Sequence, residues 1–236
     1  MTASPYSWLM LAGIGVSLFF WSRLAKRDER LLVIYLAALV SAFLGAKLVY
    51  LAAEGWIFWD DPQRWRIWAT GKTILGALLG GYAGVEVAKK LAGYAAPTGD
   101  WFALIAPLGI ILGRVGCLLH GCCLGAVCEP AWWTIRDGRG VARWPSVPVE
   151  MAFNAVAILV VLGLRSRRLL PGQHFHLYLI AYGTFRFFHE FLRATPRVVG
   201  GISGYQIAAL AVAVLGAAGF AQRRYARSIS PQAPLA

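Results

Sequence analysis

The distribution of apolar residues along the 236-residue chain constrains its fold more than any other feature. Seven stretches approach the ~20 apolar residues that a helix needs to cross the ~30 Å hydrocarbon core of a bilayer. They span residues 6–22, 31–53, 71–92, 101–119, 148–164, 174–192 and 200–220. Because lipid offers the backbone no hydrogen-bond partners, each stretch is predicted to be helical. The sequence therefore predicts an all-α integral membrane protein, a seven-helix bundle in which residues 1–236 form a single polytopic domain.

The composition agrees with a membrane location. Hydrophobic residues make up 58% of the chain and charged residues only 14%, whereas soluble domains carry roughly 25% charged residues. The formal net charge of +12 is typical of chains whose basic residues flank membrane helices and attract anionic lipid head groups. Because the chain has no basic motif with interleaved aromatic residues, nucleic acid is not expected as a partner. No cofactor is expected.

The basic residues divide unevenly between the two sets of loops that seven helices would connect. Cytoplasmic loops of membrane proteins carry the excess of Lys and Arg. The smaller set includes Arg136, Arg139 and Arg143. The N-terminus is therefore expected outside and the C-terminus in the cytoplasm. The larger set comprises Arg23, Lys26, Arg27, Arg30, Lys89, Lys90, Arg165, Arg167, Arg168, Arg223, Arg224 and Arg227.

The end of the fourth predicted helix concentrates ionisable and reactive side chains. Residues 113–123 hold an arginine, a histidine and three of the four cysteines, namely Arg114, Cys117, His120, Cys122 and Cys123. Such groups are rare in membrane helices unless they pair with one another or take part in chemistry. This segment is therefore the first candidate for a functional site.

Two further segments reach the same membrane depth in the predicted orientation. The fifth helix begins outside, which places Glu150 near the outer mouth of the fourth helix, and the sixth helix ends outside. That end carries Arg186, His189, Glu190 and Arg193. Three segments distant in sequence thus bring polar groups to one level, which favours a shared site at the outer face.

The sixth helix adds a periodic pattern of polar residues. Tyr182, Arg186, Glu190 and Arg193 recur at helical spacing and are expected to form one face. One interpretation is a structural Arg–Glu pair that holds the bundle together. The other is an anion site for a phosphate head group, since a planar guanidinium donates two parallel hydrogen bonds to phosphate oxygens.

The cysteines support three interpretations. They follow the pattern C-x4-C-C-x4-C, with His120 inside it. Structural disulfides would suit an oxidising compartment. A metal or redox site would draw its ligands from Cys117, His120, Cys122, Cys123 and Cys128. A nucleophilic cysteine would gain from a thiol pKa lowered beside Arg114.

Three segments of the chain resemble the prolipoprotein diacylglyceryl transferase family. Residues 113–116, Gly-Arg-Val-Gly, are similar to the start of the family signature. Residues 144–150 resemble its His-Pro-Ser/Thr-Gln-Leu-Tyr-Glu segment, and residues 182–193 resemble its Tyr-Gly-x-x-Arg-Phe-x-x-Glu-x-x-Arg segment. The resemblance implies an enzyme that moves a diacylglyceryl group from phosphatidylglycerol, or another anionic phospholipid, to a thiol of a secreted lipoprotein or to another acceptor. It would act at the outer face of the bacterial inner membrane and release glycerol phosphate.

The resemblance also implies roles for individual residues. Arg114 and Arg186 would hold the phosphate and stabilise its developing charge. Tyr182 would line the pocket, and Glu190 would orient an arginine. The expected substrate-binding set is completed by Glu150 and Arg193.

The chain departs from the family pattern where a general base is expected. Leu75 stands at the position of the family's catalytic histidine, and Trp144 replaces the histidine that opens the second motif. His120 and His189 are the candidate replacements, since imidazole titrates near neutral pH. The signature residues of the first motif are replaced as well, so the set of catalytic candidates also includes Cys117, Cys122 and Glu190.

A second function of a different class fits the same scaffold. The cysteines and His120 would serve a membrane thiol-redox or metal-handling protein that kept the anion-binding arginines. Likeness of fold alone does not decide between the two functions.

Overall fold

The computed structural model describes residues 13–15, 17–19, 21–23, 25–26, 28–198 and 200–229. The first predicted span, 6–22, lies largely outside these residues. Two single turns of 3-10 helix, Gly55–Phe58 and Glu190–Leu192, and a short strand pair, β1 (Ile135–Arg136) and β2 (Ala142–Arg143), complete the elements from Arg30 onward. The α-helices are α1 (Arg30–Ala53), α2 (Arg64–Thr70), α3 (Ile74–Leu91), α4 (Gly99–His120), α5 (Ser146–Ser166), α6 (His174–His189) and α7 (Gly204–Ile229).

Four helices of the described chain are long and apolar enough to cross a bilayer: Arg30–Ala53, Gly99–His120, Ser146–Ser166 and Gly204–Tyr225. Helices α3 and α6 occupy most of the predicted segments 71–92 and 174–192. They are shorter, with 18 and 16 residues, and α3 also carries charged side chains in its last two turns. The protein is thus an all-α, multi-pass membrane protein.

The outward faces of these helices are apolar. Val40 and Phe43 on α1, Leu159 on α5 and Leu210 on α7 are each more than half exposed. A helix that is hydrophobic around most of its circumference is buried in protein or in lipid. These faces are therefore the surfaces that meet the acyl chains.

Helices α1 and α3 pack backbone against backbone. A β-carbon at Gly45 would overlap the carbonyl oxygen of Gly76, and one at Gly80 would overlap that of Ser41. In a bilayer, where helices gain no hydrophobic energy by associating, such close approach supplies the van der Waals contact that holds them together. Glycine at these positions therefore fixes the α1–α3 pair.

Helix α6 lies at the centre of the bundle. Leu179 and Tyr182 are fully buried, and a β-carbon at Gly183 would lie 2.6 Å from the carbonyl oxygen of Ala209 on α7. Leu75 of α3 belongs to the same buried cluster. This central position explains how one side of α6 can present polar groups to α4 and α5 while the other side packs on α7.

A lysine within α1 is satisfied by the segment that follows it. The Lys47 ammonium donates to the carbonyl oxygens of Trp68, Ala69 and Gly71. Two of these oxygens belong to the last turn of α2, whose carbonyls lack partners within the helix. The short helix α2 is thereby tied to the spanning helix α1.

The loop between α4 and α5 folds over the end of α6. Strands β1 and β2 pair antiparallel, with Ile135 opposite Arg143. Outside this hairpin, the Ala126 N–H donates to the carbonyl of Leu192 at 2.9 Å, and Gly125 forms a backbone bridge to Arg193. The loop therefore joins the C-terminal ends of α4 and α6, which bounds a site between them.

Candidate functional site

A buried ion pair links α4 to α5. The Arg114 guanidinium lies 2.7 Å from a carboxylate oxygen of Glu150, whose side chain is completely buried. The Tyr182 hydroxyl of α6 donates to the other oxygen of the same carboxylate at 2.7 Å. Three helices thus meet at one carboxylate, and Arg114 and Glu150 lie together as the sequence predicted.

A second set of hydrogen bonds links the backbone of Glu150 to α6 through Asn154. The Asn154 amide donates to the backbone carbonyl of Glu150 at 2.8 Å, and the Tyr178 hydroxyl donates to Asn154 Oδ1 at 2.8 Å. The rings of Tyr178 and Tyr182 stack with their centroids 5.7 Å apart. The rotamers of both tyrosines are therefore fixed by packing as well as by hydrogen bonds.

Glu190 gathers two further arginines at the end of α6. One of its carboxylate oxygens lies 2.8 Å from the Arg186 guanidinium and 3.4 Å from Nε of Arg193. The backbone of the chain changes here: α6 ends at His189, the turn Glu190–Leu192 is 3-10 helix, and Arg193 is extended. Arg193 consequently reaches Glu190 from beyond the helix rather than from a continuous α-helical face.

The buried charges do not balance. The ion pairs of this site join three arginines to two glutamates, which leaves an excess of one positive charge. Among the described residues, Nε of Arg114 and one terminal nitrogen of Arg193 are buried without a hydrogen-bond acceptor, and Oε1 of Glu190 is buried without a donor. A buried donor without a partner is unfavourable by roughly 1–3 kcal/mol. The arrangement is thus suited to receive an anion.

His189 is held beside this cluster. The Trp144 indole N–H lies 3.1 Å from His189 Nε2, and the imidazole stacks on the Phe185 ring at 4.9 Å. Because Nε2 accepts this hydrogen bond, the proton of the neutral ring resides on Nδ1. Nδ1 is buried and has no partner among the described residues. In this state His189 is a donor rather than a base.

Three of the four cysteines lie together at the end of α4. The sulfur atoms of Cys117, Cys122 and Cys123 all lie within 4.8 Å of one another, and all four cysteines are free. Cys128 is outside this group.

The remaining predicted positions lie apart from the charged cluster. His120 is exposed on the last turn of α4, and it does not belong to the group of close sulfur atoms. Leu75 is buried in the apolar core below Tyr182. At the position where the family resemblance expects a histidine, this chain therefore has an apolar core residue.

Hydrogen bonds to Asp137 stabilise the hairpin in the loop between α4 and α5. Asp137 accepts a hydrogen bond from Arg143 at 2.6 Å and two more from the backbone N–H groups of Arg139 and Val141. The hydrogen bond from Arg143 holds the pKa of Asp137 below its usual range. Asp137 is therefore ionised at neutral pH and keeps the hairpin closed.

Several supporting residues were missed by sequence reasoning. Asn154 donates to the backbone carbonyl of Glu150 and accepts from Tyr178, and Arg197 donates to the carbonyl of Glu190 at 3.2 Å. Asn154 follows Glu150 at i+4 and therefore lies on the same face of α5. This spacing is the sequence feature that could have identified Asn154 as part of the site. Arg197 lies in an irregular loop, so no helical spacing relates it to the other site residues.

Spanning helices around a buried cluster of arginines and glutamates define the class, a multi-pass membrane protein with a polar site at one end of its bundle. The chain belongs to the prolipoprotein diacylglyceryl transferase family, whose model matches residues 1–222. The resemblance predicted from three motifs is thus confirmed.

Individual relatives support the same assignment. The phosphatidylglycerol–prolipoprotein diacylglyceryl transferase of Pseudoalteromonas atlantica is 31% identical over 195 residues, which cover 80% of this chain and 68% of the relative. Transferase 2 of the same description from Clostridium perfringens is 29% identical over 81% of this chain and 80% of its own length. The Vibrio atlanticus transferase is 27% identical over 89% and 83%, respectively.

Replacing Glu150 tests the central ion pair. Glu150→Gln leaves the Arg114 guanidinium buried without a counter-charge, and breaking a buried pair in this way destabilises a protein by about 3–5 kcal/mol. We expect a clear drop in the thermal unfolding temperature in detergent, measured by circular dichroism. The matched control is Glu129→Gln at an exposed position of the loop between α4 and α5, where a change within about 0.5 kcal/mol is expected. Equal stability of the two variants would contradict the assigned role.

Proposed function

We propose that the protein transfers a diacylglyceryl group from phosphatidylglycerol to the cysteine thiol of a secreted prolipoprotein. The names of its relatives support this substrate pair. The observation that carries the proposal is the excess positive charge of the buried site, where three arginines face two glutamates. A phosphodiester brings the negative charge that this site lacks.

The reaction requires charge stabilisation on the leaving group. The acceptor sulfur forms a C–S bond to the terminal glyceryl carbon, the C–O bond to phosphate breaks, and glycerol phosphate departs with the electron pair. The phosphate then carries more negative charge than in the diester. Arg114 and Arg193 have buried donors to offer it, and Arg186 is held in place by Glu190. Fixed donors aimed at developing charge are an effective means of catalysis.

The two histidines are proposed to act differently. His189 would donate a hydrogen bond from its neutral Nδ1–H to a phosphate oxygen, because its Nε2 already accepts one from Trp144. His120, exposed at the end of α4, would accept the proton that leaves the acceptor thiol. A base at the mouth of the site suits a thiol that arrives from outside the membrane.

The cysteines of this chain are not required by the proposed chemistry. Attack by Cys117 or Cys122 on the lipid would give a thioether, which is a poor leaving group, so the second transfer would stall. The family assignment likewise favours a transferase over a thiol-redox or metal-handling protein as the main function.

We further propose seven spans in one polytopic domain in the bacterial inner membrane, with the N-terminus outside. The excess of basic residues at the cytoplasmic ends supports this orientation. The site between the ends of α4 and α6 would then face the periplasmic side. Prolipoproteins exported across the inner membrane would reach it there.

The transfer reaction is tested with the purified protein in vesicles that contain phosphatidylglycerol and a peptide bearing the acceptor cysteine. We expect a diacylglyceryl adduct on the peptide by mass spectrometry. Arg186→Gln should lower kcat about 10²- to 10³-fold, as loss of one transition-state donor does. Arg139→Gln, the same change on an exposed loop residue, should leave the rate unchanged, and Cys123→Ser should be tolerated.

Two results in this assay would contradict the proposal. One is the absence of an adduct while a family relative is active in the same vesicles. The other is an Arg186→Gln variant that elutes as folded protein and retains full activity. Arg186→Lys keeps the charge without the planar fork and should still be impaired, which separates geometry from charge.

The roles of the histidines are separated by kinetics. His120→Gln should lower kcat by about 10²-fold or more, the usual effect of losing a general base. His189→Gln should chiefly raise KM for the lipid, because it removes a donor to the phosphate in the bound state. The measurement is the initial rate at varied lipid content, and the reverse pattern would exchange the two roles.

The orientation is tested by labelling. A variant that keeps only Cys128 should react with a membrane-impermeant maleimide in intact spheroplasts, because this residue lies on the outer loop. A cysteine-free variant with Arg167→Cys, in the turn after α5, should react only after permeabilisation. Labelling of both cysteines in the reverse pattern would invert the proposed topology.

A further inference from the structure

The cluster of Cys117, Cys122 and Cys123 is left without a role by the transfer chemistry. Their sulfur atoms form a compact group, with Cys117 and Cys123 3.9 Å apart and every pair within 4.8 Å. Thiols that serve only as packing groups have no reason to converge in threes on one point. The cluster also lies next to the buried charges, since Nη1 of Arg114 is 3.9 Å from the Cys117 sulfur.

An unusual backbone turn brings these sulfurs together. Helix α4 ends with Gly121 in the left-handed conformation, φ 66°, and the Cys122 N–H donates back to the carbonyl of Cys117 at 3.1 Å. Cys123 is also left-handed, φ 61°, which is uncommon for a residue with a β-carbon. Its carbonyl accepts a hydrogen bond from the Ser146 hydroxyl at 2.8 Å. Strain of this kind persists where the surrounding structure fixes it, and it concentrates at functional sites.

The sulfur spacing matches a thiolate-bound metal ion. Metal–sulfur bonds of ~2.3 Å place three sulfurs ~4 Å apart in a trigonal plane, close to the spacing of Cys117 and Cys123. A disulfide would need a sulfur–sulfur distance of ~2.05 Å. The reduced cluster is thus arranged as ligands around a common centre.

The ligand set selects the kind of ion. Within the part of the chain that the structure describes, the group contains three sulfur ligands and neither a histidine nor a carboxylate. Structural zinc sites are almost always four-coordinate, whereas soft thiolates also favour monovalent copper. Three thiolates around Cu(I) carry a net negative charge, and the Arg114 guanidinium lies beside them to offset it.

We propose that Cys117, Cys122 and Cys123 bind one Cu(I) ion through three thiolates, with Arg114 as the neighbouring counter-charge. Binding releases the thiol protons and involves no change of oxidation state. None of the three cysteines acts in diacylglyceryl transfer, and the two proposals share only Arg114. Because copper binding is measured directly, its failure is distinguishable from a failure of the transfer reaction.

Copper binding is measured anaerobically on the full chain in detergent, with Cu(I) supplied as its bicinchoninate complex. We expect the protein to remove one Cu(I) per chain from the chelator. Cys117→Ser, Cys122→Ser and Cys123→Ser should each weaken binding about 100-fold, at least as much as the loss of an outer-shell partner does. Cys128→Ser is the matched control, because it removes a thiol outside the cluster, and its affinity should equal that of the unaltered protein.

X-ray absorption of the copper-loaded, unaltered protein identifies the atoms bound to copper. It tests the proposal even if a serine variant fails to fold. The proposal expects sulfur scatterers alone, three per copper. Nitrogen in the first shell, two sulfurs, or binding of zinc but not Cu(I) would overturn it. So would failure to compete with the chelator, or copper binding that survives in the variant lacking all three cysteines.

Discussion

The buried pairing of Arg114 with Glu150 is the interaction on which the rest of the site depends. It joins α4 to α5, and the hydrogen bond from Tyr182 brings α6 to the same carboxylate. Placing charges away from water is costly unless they are paired and hydrogen-bonded. The second cluster lies about two turns beyond Tyr182, at Glu190 in the 3-10 turn that follows α6. The two clusters together give a bundle of apolar helices a buried polar site with excess positive charge.

Much of this arrangement could be predicted from the sequence. The lengths of the apolar stretches predicted where the helices lie, since a backbone in lipid must form its hydrogen bonds within the protein. The convergence of Arg114, Glu150 and Arg186 followed from counting spans and noting which helix ends face the same way. The family resemblance rested on the same residues, and the family model confirmed it. These features depend on local pattern and on topology, both of which a single sequence contains.

Other features depend on tertiary contacts that leave no local pattern. The engagement of His189 by Trp144 distinguishes it from His120, although both are histidines at helix ends. The helical spacing of Arg193 suggested a continuous α6, yet the chain tightens to 3-10 helix and then extends. The separation of Cys128 from the other three thiols follows from the left-handed turn at Gly121 and from a second left-handed residue. Sequence spacing alone treated all four cysteines alike.

The tie between Lys47 and the α2 carbonyls has a consequence for biogenesis. A helix that enters the bilayer with a lysine but without its partner carries an unpaired charge, which raises its insertion free energy. The charge is satisfied only when the chain that follows has folded back as α2. Helix α1 is therefore least stable in the interval between its own synthesis and that of α2. Its retention in the membrane depends on the segment made next, so assembly of this protein has a built-in order.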